Sequence, residues 1–165
     1  MKNKILFALC AAALTMCITG CKNKQKASGS DQNAVNLAEN IFLHVETEPC
    51  FGECPVYILT IYQDSTIEYN GKMFTKKVGK FAGKAKAKHI DQLKYALKQS
   101  DFFAMDRVYD DTSVTDLPAT TISARVGKRV NQVRARYNEP DSFRKLSSFI
   151  FEFIDELPLE QVETK

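Results

Sequence analysis

Histidine is almost missing from these 165 residues: His44 and His89 are the only two. That scarcity removes the ordinary proton carrier of neutral-pH chemistry. No H-E-x-x-H, G-x-S-x-G, P-loop or dinucleotide fingerprint occurs, and no motif pairs a nucleophile with a base. A catalytic site is therefore not expected, nor is a cofactor. An excess of one charge is lacking too. Lys and Arg number 23 against 20 Asp and Glu, a formal net charge of +3, which argues against nucleic acid as a partner. The apolar run from Ile5 to about Ile18 is shorter than the ~20 residues a membrane-spanning helix needs. Beyond it there is no low-complexity block and no long exact repeat.

What the chain does have begins at its first residue. Lys2 and Lys4 precede the apolar run, and the small residues Thr19 and Gly20 precede Cys21, which is the layout of a secretory signal over residues 1–20. Ile18-Thr19-Gly20-Cys21 resembles the lipobox of bacterial lipoproteins, whose cysteine is lipidated and becomes the first mature residue. The resemblance implies two or three acyl chains, palmitate among them, on Cys21. Each buried CH₂ contributes about 0.8 kcal/mol, so several chains make a lasting membrane anchor. It also implies the cell envelope, an oxidising compartment. No retention-type Asp follows Cys21 and no acidic export run is present, so the expected location is the outer membrane, facing the periplasm. Residues 21–40 are polar and small and read as a flexible tether. Residues 41–158 then suit one domain with one core, and 159–165 a tail.

Within the domain, Phe42 to Thr47 reads as a first strand ending at Pro49. Val56 to Tyr62 is β-branched and aromatic on both faces, the pattern of a central strand. Asp64-Ser65 marks a turn, Thr66 to Tyr69 a returning strand closed by Asn70-Gly71, and Met73 to about Gly83 another strand. Ile90, Leu93 and Leu97 fall at helical spacing, with Phe102 and Phe103 beneath the helix end. Residues 106–118 read as an acidic loop. Thr120 to Val126 and Arg129 to Tyr137 flank Gly127-Lys128, a hairpin signal. Pro140 suits the first turn of a last helix, whose buried stripe is Phe143, Leu146, Ile150, Phe153 and Leu157. Strands, helix, strands, helix predict an α+β domain: an antiparallel sheet with two helices on one face.

Cys50-Phe-Gly-Glu-Cys54-Pro55-Val-Tyr57, Leu59-Thr-Ile-Tyr62, Tyr69-Asn-Gly71, Ser100-Asp-Phe-Phe103 and Asp116-Leu-Pro118 resemble a domain-of-unknown-function family common in bacterial lipoproteins. The resemblance covers most of residues 42–157 and implies no activity. This chain departs from the pattern at Asp64-Ser65, where the family often has Asp-Gly; serine resists the left-handed conformation that glycine accepts.

Five candidate features follow. Cys50 and Cys54, flanked by Pro49 and Pro55, read as a disulfide if a turn through Gly52 brings them together. The alternatives are a redox pair, although the spacing is C-x₃-C and no helix start follows, or a metal site completed by His44 and Glu53. Asp106, Asp110, Asp111 and Asp116 could offer calcium its oxygens, but the spacing fits a solvated loop better. Lys76, Lys80, Lys84 and Lys86 would share one face of a strand, either meeting anionic headgroups or guarding a sheet edge. Phe151 and Ile154 are left over from the last helix's stripe and could contact a partner. His89 is expected to be exposed. The reading is a lipid-anchored, non-catalytic binding or interaction module, its partners the membrane through Cys21 and another envelope protein. The alternatives are a thiol–disulfide protein using Cys50 and Cys54, and an inhibitor-like domain presenting the Cys50–Pro55 loop.

Overall fold

The computed structural model describes residues 37–162 apart from 112 and 115. The signal at 1–20, Cys21 and nearly all of the tether lie outside the described residues. In chain order the elements are β1 (Ile41–Thr47), β2 (Val56–Tyr62), β3 (Thr66–Met73), β4 (Gly79–Lys84), α1 (Ala87–Gln99), β5 (Val108–Tyr109), β6 (Thr120–Val126), β7 (Arg129–Ala135), α2 (Asp141–Phe153) and β8 (Leu159–Gln161). They form one small domain around an eight-stranded sheet of order β5-β7-β6-β1-β2-β3-β4-β8. Every pairing is antiparallel except β5 with β7.

Alternation fixes which face is buried. Leu43 and Val45 of β1 stand beside Ile61 and Leu59 of β2 and beside Ala124 and Ile122 of β6. Ile67 and Tyr69 of β3 continue the same row. These side chains share one core with Leu93 and Leu97 of α1 and Phe143, Leu146, Ile150 and Phe153 of α2. The stripe read from the last helix is buried at all five positions, Leu157 included. Ile58, Glu68, Asn70, Lys80 and Ala82 point to the opposite face, which no described helix covers.

Several boundaries differ from the reading of the sequence, each for a physical reason. Asn70-Gly71 does not close β3 but lies inside it, because Gly71 lets the next loop fold back onto the strand: a Cβ there would sit 1.9 Å from the Lys77 carbonyl oxygen. The following strand therefore starts at Gly79, not Met73. Gly83, which looked like a weak point in β4, makes room for the Pro158 carbonyl, 1.9 Å from where its Cβ would be. That close approach brings Leu159–Gln161 alongside Phe81–Gly83, so the expected tail at 159–165 begins as an edge strand. The acidic loop contains β5, whose Val108 and Tyr109 pair with Arg134 and Ala135. Pro140 caps α2 from outside rather than sitting in its first turn. Leu37, assigned to the tether, is buried, and Arg125 donates a 2.8 Å hydrogen bond to its carbonyl.

Candidate interaction surface

The Cys50–Cys54 segment is a loop built on a rigid base. β1 ends where Pro49, which has no N–H, cannot extend the ladder; its last such bond is Glu48 N–H to the Ala119 carbonyl, 2.8 Å. The chain then leaves the sheet and returns at Val56. Across that gap the buried Thr47 hydroxyl donates to the Pro55 carbonyl at 2.8 Å and accepts from the Tyr57 N–H at 2.9 Å. One side chain thus replaces the rungs that the loop interrupts. Cys50 and Cys54 are joined in a disulfide with Cα atoms 5.8 Å apart, and Gly52 N–H donates to Cys50 Sγ at 3.1 Å. Beneath the loop the Tyr57 ring packs against Tyr69 and Phe151, with centroids 6.0 and 5.7 Å away. Burial, with help from the neighbouring Tyr69, pushes the Tyr57 hydroxyl well above its ordinary pKa. Phe51, inside the covalent ring, packs on nothing comparable and is 88 % exposed.

Beside the loop runs a four-charge network. Arg134 grips the Glu48 carboxylate through two nitrogens, the closest contact 3.1 Å, and also reaches Asp110. Arg136 meets the same carboxylates at 3.4 and 3.7 Å. All four side chains are partly exposed, so each pair is worth at most about 1 kcal/mol. Their value is positional, since they tie the end of β1 to β7 and to the segment after β5.

The same end of the sheet collects apolar surface. Val56 pairs with Met73 and Thr47 with Thr120, so the loops after β1, after β3 and before β6 emerge together. Phe51, Met73, Phe74, Val78, Leu117 and Tyr137 are exposed there. The β3–β4 loop is pinned by Thr75 hydroxyl to the Lys77 carbonyl, 3.0 Å, and by Lys76 and Lys77 on Asp155, 2.5 and 3.0 Å. At the opposite end the turns consist of Gln63, Asp64, Gly127 and Lys128, and no large exposed apolar side chain appears in them.

The remaining candidates disperse. Lys80 and Lys84 do share a strand face, but Lys76 lies in the preceding loop and Lys86 caps α1. The four lysines form no single face, because β4 starts at Gly79. Ile154 is buried in the core, and Phe151 is half-buried against Tyr57, so neither is left over: the helix is covered on both flanks. His89 is not exposed but 2 % accessible, edge-on to Phe153, with Nδ1 accepting from the Lys86 N–H at 3.2 Å. Burial, then Lys88 and Lys86, lower its pKa. Among the described residues no three His, Cys, Asp or Glu side chains are grouped to hold a metal.

One pairing escaped the sequence. His44 Nδ1 lies 3.0 Å from Thr60 Oγ1 across β1 and β2 on the open face, and burial lowers its pKa against the opposing pull of Glu46. The loop contacts at Phe74 and Val78 were equally illegible, because they depend on where β4 starts.

A family model described as Domain of unknown function (DUF6438) matches residues 42–154. The chain belongs to that family. No curated protein matches it.

Proposed function

We propose that this domain is a lipid-anchored, non-catalytic interaction module of the bacterial envelope, presenting the Cys50–Cys54 loop as its contact surface. The anchor is Cys21, and the outer membrane facing the periplasm is the expected location. The observation that carries the reading is Phe51, 88 % exposed on a loop fixed covalently by its disulfide and non-covalently by Thr47. A rigid aromatic anchor loses little conformational entropy on binding, which is the usual property of an interface hot spot. The tether meets β1 at its start, and the loop leaves β1 at its end. β1 spans seven residues, six steps of about 3.3 Å, so the loop emerges about 20 Å along the strand from where the chain enters it. Another envelope protein is the expected class of partner.

The thiol–disulfide alternative needs a stabilised thiolate, commonly supplied by a helix N-terminus. Here Cys54 leads into β2, so the bridge serves to shape the loop. An inhibitor-like role would use the same loop on a target enzyme and remains a special case of the proposal. The test is crosslinking in intact envelopes followed by capture of the full-length lipoprotein. Phe51→Ala should lose the adducts that wild type gives, while Tyr95→Ala, another exposed aromatic on α1, should keep them. Identical adducts from wild type and Phe51→Ala would overturn the reading.

A further inference from the structure

We propose that the partner at this surface is a second copy of the chain, docked end to end about a two-fold axis through the Cys50–Cys54 loop; the inference rests on the reading of that loop as the contact surface. The order of strands arranges this end of the sheet symmetrically around the loop. It emerges between β1 and β2, with β6, β7 and β5 on one side and β3, β4 and β8 on the other. Exposed apolar residues occur on both sides: Leu117 and Tyr137 beside β6 and β7, Met73, Phe74 and Val78 beside β3 and β4.

Charge divides across the same centre. On the β5–β7–β6 side, Glu48 and Asp110 are matched by Arg134 and Arg136, while Asp111 and Asp116 stand exposed. On the β3–β4 side, Asp155 is matched by both Lys76 and Lys77 and Glu152 also acts on Lys76, while Lys72 and, on the open sheet face beside this end, Lys80 stand exposed; four cations there face two carboxylates. One flank therefore carries surplus negative charge and the other surplus positive charge. Of the two-fold axes that dock this end on itself, the one perpendicular to the sheet plane reverses the strand order of the second copy, and it is the axis proposed. It sets the acidic flank of each copy against the basic flank of the other, with the Phe51 loops meeting at the axis. This is the self-complementarity an isologous interface requires. An anionic lipid surface would instead be repelled by half of this end.

Size is compatible. Seven inter-strand spacings of about 4.8 Å make an end about 34 Å wide. With a sheet and a helix layer about 20 Å deep together, it offers roughly 700 Å², close to the ~800 Å² per partner of a standard interface.

The experiment incorporates the photocrosslinker p-benzoyl-phenylalanine at position 51 of the full-length chain in intact cells. The expected adduct has twice the mass of a single 18.6 kDa chain, before processing, and contains only this protein. Two charge-reversed forms follow: Asp111→Lys with Asp116→Lys, and Lys72→Glu with Lys80→Glu. Each alone places like charges opposite one another and should lower the self-adduct at least about tenfold. Co-expressed with different tags, the two forms should restore a mixed adduct. An adduct to a different protein would overturn the second copy while keeping the interaction reading. Absence of any adduct would overturn both. Undiminished self-adducts in each charge-reversed form alone would overturn the proposed axis and with it this inference.

Discussion

Replacing Thr47 with valine changes one buried oxygen for a methyl group and keeps the shape of the side chain. In the native domain that oxygen accepts from Tyr57 N–H at 2.9 Å and donates to the Pro55 carbonyl at 2.8 Å. Tyr57 is 2 % exposed, so its N–H has no water to turn to when the acceptor goes. A buried donor left unsatisfied costs about 1–3 kcal/mol. The Pro55 carbonyl is half-buried and can recover part of its loss from solvent, so the expected total is about 2 kcal/mol. For a domain of this length each kcal/mol moves the midpoint about 3–5 °C, giving a drop of about 6–10 °C. Calorimetry or thermal circular dichroism of the two proteins reads it directly. Thr47→Ser, which keeps the hydroxyl, should lose clearly less. A Thr47→Val loss below about 0.5 kcal/mol, the range of an ordinary surface change, would refute the idea that this hydroxyl carries the interrupted rungs.

Three further outcomes are expected. The pKa of His89 is lowered on folding, so the unfolded chain takes up protons first as pH falls through the ordinary value of 6.5. Stability should be level above that pH and decline below it until the folded-state pKa is reached, with His44 adding the same sign. Denaturant midpoints from pH 8 to pH 5 measure this, and His89→Leu should flatten much of the slope; a slope unchanged by that variant contradicts the assignment. Ser65→Gly should raise stability slightly, by at most about 1 kcal/mol, because Ser65 holds a φ of 71°; a clear loss would mean the serine is stabilised by more than the turn shows. Cys50→Ser with Cys54→Ser should still fold but lie about 2 kcal/mol lower, since the closed loop is short. Loss of cooperative unfolding in that variant would show that the bridge holds the domain together rather than shaping its loop.

The features legible in the sequence are those set by periodicity. Leu93 and Leu97, the stripe from Phe143 to Leu157, and the two-faced β2 are repeated apolar spacings, and burial follows them. The positions that misled depend on contacts between distant segments. Gly83 breaks a strand pattern locally, yet its missing Cβ admits the Pro158 carbonyl and hence β8. Gly71 reads as the end of a hairpin, though it continues β3 beneath the loop that follows. His89 among Lys86 and Lys88 looks solvated, but helical phase turns its ring toward Phe153. At Asp64-Ser65 the departure from glycine is compensated by Asp64, whose carboxylate accepts from Thr66 N–H at 2.9 Å and Thr66 hydroxyl at 3.0 Å. The Thr66 N–H first, then its hydroxyl, hold that carboxyl below the usual carboxylate range. In the proposed contact surface, the cysteine pair and its prolines were readable. The clustering of Phe51 with Phe74, Val78, Leu117 and Tyr137 was not, because it is made by the order of eight strands, which no local pattern encodes.

The proposed contact surface is tested most directly by hydroxyl-radical footprinting of the full-length chain, in intact cells and after detergent extraction and dilution. Phe51 and Phe74 should be shielded in the envelope and oxidised after extraction, while Tyr95 on α1 is oxidised equally in both. Equal oxidation of Phe51 in the two states would contradict its role as the module's contact residue.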